Sequence, residues 1–409
     1  MLYADKLKEE QMSYLLPFIM AVVFVGINGL TMLAFARTQG FRLKPSGLAF
    51  LAGGFMVLLA GLVTPISGQS AFLAVAGRVE QEKQRVAALL IAAIASTILG
   101  LTGAISWIIE FAGPSVIAGM MAGVGLMLAQ VGVDFVTDKQ KGNIIVGATS
   151  VISALVIFAL FSTPASPLTS THALVYTVAG SVAISTLVYW LVPAARKGPK
   201  PDDAKTNDTE NYKFWTKKYW TGGEWKLVSP KLTIRAVLSA AALICLGIGI
   251  TTSFGTINTN MVPAGVDVAT QNFDHLMLIT GLVDFVGVIF GGMPLEPIIS
   301  ATAATQWPVI AAFMLMTLLG VLCILGVVLK LCKYLPAQSI AGFLVVIGVF
   351  STFMLNIRAN PAGVNNFTND IPSAGIALGV TALTKNPFIG MIAGILVRTI
   401  GQFFMPGLA

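Results

Sequence analysis

Charge is what this chain has least of. Of its 409 residues, 11% are charged and 56% are hydrophobic, where a soluble globular domain carries about 25% charged residues. That deficit excludes an ordinary water-soluble fold. Histidine is also scarce, with only His172 and His275, and cysteine is limited to Cys245, Cys323 and Cys332. These are too few and too scattered for a zinc site or a disulfide framework. No HExxH pattern and no nucleophile–base pair stands out, so neither an enzyme nor a cofactor is expected. The net charge of +7 fits basic loops at a membrane surface; no nucleic-acid partner is implied.

What the chain does have is long apolar runs, each of about 18 to 25 residues, with a mean hydropathy of +0.84. Runs of that length span a bilayer as helices. The expected fold class is therefore an all-α polytopic membrane protein. Spans are expected at 12–37, 45–63, 83–105, 106–135, 143–164, 171–193, 232–256, 273–292, 304–330, 334–357, 367–384 and 386–405. The first run is too long for a signal-peptide core, so no cleaved signal is expected. The expected location is the cell membrane, with the lipid bilayer as a partner.

Two shorter pieces, TPISGQSAFLAVAG (64–77) and GMPLEPIISATAAT (292–305), complete a set of fourteen segments. They divide the chain into a first repeat over 12–193, a polar loop over 194–231 and a second repeat over 232–405. Lysines alternate with Trp215, Trp220 and Trp225 in the loop, which suits a segment lying on lipid headgroups.

The two halves echo each other. The fifth segment has Pro114, Ile117-Ala118-Gly119 and Gly125; the twelfth has Pro336, Ile340-Ala341-Gly342 and Gly348. The broken third and tenth pieces open near Pro65 and Pro294. A half with an odd number of crossings must be followed by an inverted copy, which is the plan of inverted-repeat transporters. The GxxxG pairs Gly119–Gly123 and Gly390–Gly394 allow close helix packing.

In such folds the paired broken segments mark the binding site. A half-helix beginning inside the membrane presents free N–H groups and the positive end of its dipole. Near those starts lie Ser67, Gln69 and Ser70 in the first half, with Glu296, Ser300 and Thr302 in the second. Thr251, Thr252 and Ser253 of the eighth segment should face them. Hydroxyls and amides suit either a neutral polar ring or an oxyanion. Glu296 fits two roles: exchanging a proton or holding Na⁺, or capping the tenth half-helix. Asp284, mid-span, is a second candidate for ion coupling, or else a structural partner for a hydroxyl or for Arg398. A carboxylate within a membrane span is a functional candidate by default.

Several stretches carry a family resemblance: TPISGQSAFLAVAG, PSVIAGMMAGVGLML, VDFVGVIFGGMP and LPAQSIAGFLVVIGVF. With the seven-plus-seven arrangement, they resemble the uracil/xanthine permeases, the nucleobase–cation symporters. The resemblance implies a core domain (segments 1–4 and 8–11) moving against a gate domain (segments 5–7 and 12–14). It also implies a homodimer and H⁺- or Na⁺-coupled uptake of a purine or pyrimidine. Two departures stand out. The family's acid in segment eight has no counterpart in LGIGITTSFG, and its acid in segment ten falls at about Ser300, with Glu296 earlier. The tenth segment, FGGMPLEPIISATAAT, also resembles the sulfate permeases, which share the fold. The alternative is thus a small-anion transporter of that type without its C-terminal domain. Loops after odd-numbered segments hold nearly all the Lys and Arg, which places both termini outside; the resemblance implies both inside.

Overall fold

The computed structural model describes residues 29–79, 81–137, 144–162, 170–195, 225–268, 272–332, 334–358 and 370–404, with Leu15 and Ile19. Trp215 and Trp220 lie outside them. Helix α1 (29–38) is followed by α2 (Leu43–Leu59), β1 (Ile66–Ser67), α3 (Ser70–Gly77) and α4 (Glu82–Thr102). Next come α5 (Ala104–Ala112), α6 (Pro114–Thr137), α7 (Ile144–Phe161) and α8 (Ser170–Leu191). The second half holds α9 (Ile234–Met261), α10 (Phe273–Val288), β2 (Glu296–Pro297), a 3-10 turn (Ala301–Ala304), α11 (Pro308–Ile324) and α12 (Val327–Cys332). It ends with the twelfth segment over 337–357, then α15 (Ile371–Thr384) and α16 (Pro387–Phe404).

Most expected spans are present within a few residues. Three differ, for local reasons. The run expected over 304–330 breaks into α11 and α12 at Gly326, which takes φ +69°. The run expected over 106–135 is two helices. Gly113 takes φ +87°, a conformation glycine adopts without strain, and Pro114, lacking an N–H, is suited to begin the next helix. The twelfth segment is a mixed helix: a 3-10 turn (Ala337–Ile340), α13 (Ala341–Val346), a π turn (Ile347–Phe353) and α14 (Met354–Ile357).

The packing follows the repeat. Helix α2 packs on α11 and α4 on α10, two pairs that exchange when one half is laid on the other. The fifth and twelfth segments do the same, α6 packing on α15 and α13 on α7. Small residues permit these contacts: a Cβ at Gly119 would strike the Ala374 carbonyl, and one at Gly342 the Ser150 carbonyl. Gly123, Gly390 and Gly394 also lie against Thr381 or Ala377 of α15. Both GxxxG pairs therefore serve packing within the chain.

Basic loop residues gather at one end of the bundle. Arg42 pairs with Glu82 at 2.8 Å and donates to the Lys226 carbonyl. Arg85 donates to the Gln39 and Gly40 carbonyls, and Arg78 to that of Lys385. The end of the polar loop is tied to the protein here. The Val228 N–H reaches Ile289 and the Lys231 N–H reaches Lys83. Trp225 is buried, edge-on to Phe290. It packs on protein; the headgroup role expected of it is not what this side chain does.

Candidate functional site

The two broken segments meet as an antiparallel ladder, with Ile66 opposite Pro297 and Ser67 opposite Glu296. Pro65 and Pro294 each stand two residues ahead of Ser67 and Glu296. Ser67 and Glu296 thus hold the same place in their repeats and also face each other, which puts them on the axis relating the halves. Pairing the strands satisfies backbone groups that would otherwise be stranded inside the membrane. The Ile298 N–H extends the contact to the Pro65 carbonyl at 3.1 Å.

Beyond the ladder, the halves diverge. In the first, α3 starts at Ser70, and the Gln69 side-chain oxygen caps it, accepting from the Phe72 N–H at 2.8 Å. In the second, the expected half-helix is only the four-residue 3-10 turn. The Ser300 Oγ accepts from the Thr302 N–H at 3.2 Å and from the Thr302 hydroxyl at 2.8 Å. Ser67, Gln69, Ser70, Glu296, Ser300 and Thr302 are all buried on the two broken segments.

Glu296 caps nothing with its side chain. It is 2% exposed and its Oε2 has no hydrogen-bond partner. Gly247 of α9 lies beside it: a Cβ there would meet Met277 Cε at 3.3 Å and the two carboxylate oxygens at 3.8 and 3.9 Å. Asp284 is buried on α10, its Oδ1 accepting from the Leu295 N–H at 2.6 Å. Its partner is thus a backbone amide, neither a hydroxyl nor Arg398. Arg398 donates instead to the Phe111 carbonyl at 2.8 Å. Asp284 is thus tied to the residue next to Glu296, and among the described residues no group of three or more His, Cys, Asp and Glu could hold a metal.

The eighth-segment residues separate. Thr251 turns inward to the Met277 sulfur at 3.5 Å. Thr252 and Ser253 line a cleft facing α6 and the twelfth segment. His275 is exposed in the first turn of α10, whose Asn272 cap accepts from its N–H.

One residue that holds the broken segments in place is missed by reading the sequence. Asn258, fully buried on α9, donates to the Ile298 carbonyl at 2.7 Å and to the Thr64 hydroxyl at 3.3 Å. Its Oδ1 accepts from the Ser300 N–H at 3.0 Å. It pins both broken segments to α9. A buried Asn toward the end of an apolar helix is the one signal that could have marked it.

The fold is that of solved anion transporters at low sequence identity. The overall structure of SLC26A9 is 14% identical, covering 98% of this chain and 69% of that one with a TM-score of 0.61. Murine Slc26a9, an anion transporter in the inward-facing state, is 12% identical over 96% of this chain and 69% of that one, TM-score 0.60. The transmembrane domain of the cyanobacterial bicarbonate transporter BicA is 14% identical over 93% of this chain and 97% of that one, TM-score 0.57. No curated protein matches the chain. The Permease family profile, that of the uracil/xanthine permeases, matches residues 83–357. A match over most of the chain, on an all-helical multi-pass membrane fold, makes this protein a membrane transport protein belonging to the uracil/xanthine permease family.

Proposed function

We propose that the protein is a secondary active transporter for a nucleobase-like heterocycle. The substrate sits between α3 and the 3-10 turn, beside the ladder. Uptake is coupled to H⁺ or Na⁺ through Asp284 and Glu296. Alternating access comes from a core of segments 1–4 and 8–11 moving against a gate of segments 5–7 and 12–14. The unit is a homodimer in the cell membrane.

The observation that carries this reading is Glu296: a buried carboxylate whose Oε2 lacks a donor, opposite Ser67 and beside Gly247, which brings no side chain of its own. A buried acceptor without a partner is costly, and the N–H edge of a purine or pyrimidine would supply one. Glu296 would then carry the gripping role that the family places in segment eight.

The anion reading has its own support in the fold shared with BicA and SLC26A9 and in the N-terminus of α3, which favours negative charge. A carboxylate in the same site opposes it. A thermal-shift panel on purified protein separates the two: uracil, xanthine, guanine and hypoxanthine against sulfate, bicarbonate and dicarboxylates, with and without Na⁺. A ligand at about a hundred times its dissociation constant stabilises the fold by roughly 2.7 kcal/mol. A shift with a base alone is expected. A shift with anions alone sinks the nucleobase reading.

A further inference from the structure

A cleft with a cavity volume of about 50 Å³ lies outside the ladder site, between α9, the start of α6 and the end of the twelfth segment. It is near the end of the bundle away from the basic loops, since α9 begins beside Lys231 at that face and runs away from it. Its polar side chains are Thr252, Ser253 and Thr256 from α9 and Asn356 from the opposite wall. No Lys, Arg or His is among the described residues lining it.

The hydrogens of these groups are largely committed. The Thr252 hydroxyl donates to the Ile248 carbonyl at 2.8 Å, and that of Thr256 to the Thr252 carbonyl at 2.8 Å. Ser253 donates across the cleft to the Asn356 Oδ1 at 3.3 Å, and the Asn356 amide donates to the Thr352 carbonyl at 2.6 Å. A hydroxyl that has given its only proton offers lone pairs alone. Of the side-chain donors, one N–H of Asn356 is left. Against it stand the oxygens of Thr252, Ser253, Thr256 and Asn356. Pro114, at the lip of the cleft, has no N–H, so the first turn of α6 brings one donor fewer.

We propose that this cleft is a vestibule site for ligands that donate hydrogen bonds, such as the N–H edge of a neutral heterocycle, and that it turns anions away. A passing donor is met by acceptors in place of the water it sheds. An anion loses its hydration and finds, among the side chains, a single amide N–H to replace it. As a route to the transported substrate, the vestibule rests on the reading of the ladder site given above, because α9 packs on α3, β2 and the 3-10 turn. As a donor-selective surface it can be measured without transport.

The test is Leu355→Cys, half-buried on the cleft wall, in a chain whose three native cysteines are replaced by alanine. The protein is held in phosphatidylcholine liposomes, so that the lipid adds no net charge. Labelling rates are compared for ethylammonium and sulfonatoethyl methanethiosulfonate, each relative to free cysteine. The ammonium reagent is expected to be favoured by about tenfold over the free-thiol ratio, the equivalent of roughly one hydrogen bond. Replacing Thr252 and Thr256 by valine should return the ratio toward that of free cysteine. If the double variant does not elute as a single species, Thr256→Val alone is read in the same way. A ratio no greater than that of free cysteine, one unmoved by the valines, or no labelling by either reagent overturns the vestibule. The ladder reading fails separately, when bases are neither bound nor taken up, whatever the labelling ratio.

Discussion

Gly125 of α6 and Gly348 of the twelfth segment back onto each other. A Cβ built on either would lie 2.5 Å from the other's carbonyl oxygen. They also hold matching places in the two repeats, six residues beyond Gly119 and Gly342. Together with Ser67 and Glu296, which face each other in the ladder, they mark two points on the axis relating the halves. A residue on such an axis meets its own counterpart, so the space for its side chain is lost twice over.

Alanine at Gly125 or Gly348 should therefore destabilise the protein by about 1–3 kcal/mol, the range for forcing an extra carbon into a packed interior. Gly375 and Gly379 of α15 are the controls, since a Cβ there meets nothing within 4 Å. Alanine at those positions should be neutral or slightly stabilising, by about 0.4–1 kcal/mol. Melting curves in detergent read all four. Equal effects at the axis and control glycines would remove the axis contact as the cause.

Asn258→Ala should be among the more damaging changes to the site. It strips partners from the Ile298 carbonyl, the Ser300 N–H and the Thr64 hydroxyl. Each buried group left without a partner costs about 1–3 kcal/mol. Asn258→Asp keeps the acceptor for Ser300 and loses the donors. Its ligand affinity, read by thermal shift, should fall between wild type and alanine. Wild-type affinity in the alanine variant would show that the ladder does not need this clamp.

How much of this can be read from the chain depends on how local each cause is. The prolines at 65 and 294 and the two IAG motifs are local, so the repeat and the broken segments are legible. Gly113-Pro114 is an equally local break. It is easily passed over because apolar residues continue on both sides, and the span expected over 106–135 is two helices. The role of Asn258 exists only once the ladder brings Ile298 and Ser300 to α9, and no spacing encodes it. Gln69 illustrates a different limit. Its residue type suits a ligand, yet its oxygen is spent on the Phe72 N–H, which only the start of α3 decides.

Helix α5 joins α4 to α6 and is held at both ends. Asp274 accepts from the Ile105 N–H at 3.0 Å and from the Ser106 hydroxyl at 3.1 Å. At the other end, Arg398 donates to the Phe111 carbonyl, and Trp107 and Phe111 stack on the exposed face. Arg398→Met should cost about 1.5–3 kcal/mol, the worth of hydrogen bonds to a charged group, discounted toward the lower end because the arginine is partly exposed. If α5 transmits motion between the proposed core and gate, transport rate should fall more than equilibrium affinity does. Uptake into proteoliposomes set beside thermal-shift affinity separates the two. A parallel loss of both would make Arg398 a general structural support.

Glu296→Gln is the change that divides the two transport readings. Glutamine is close in shape, keeps one acceptor oxygen and removes the charge. A nucleobase that donates to the carboxylate would trade a charge-assisted hydrogen bond for a neutral one and meet an amide N–H₂ where an acceptor had been. Binding should weaken by about 1–3 kcal/mol, close to 5- to 150-fold. An anion would gain on the same change, because a repulsive charge is replaced by a donor. Asp284→Asn serves as the partner experiment. It leaves the Leu295 N–H with an acceptor but removes the second charge of the pair. If both acids act in ion coupling, either variant should lose gradient-driven accumulation while still exchanging substrate across the membrane. Accumulation unchanged in both variants would release the pair from coupling and leave Glu296 as a binding group alone.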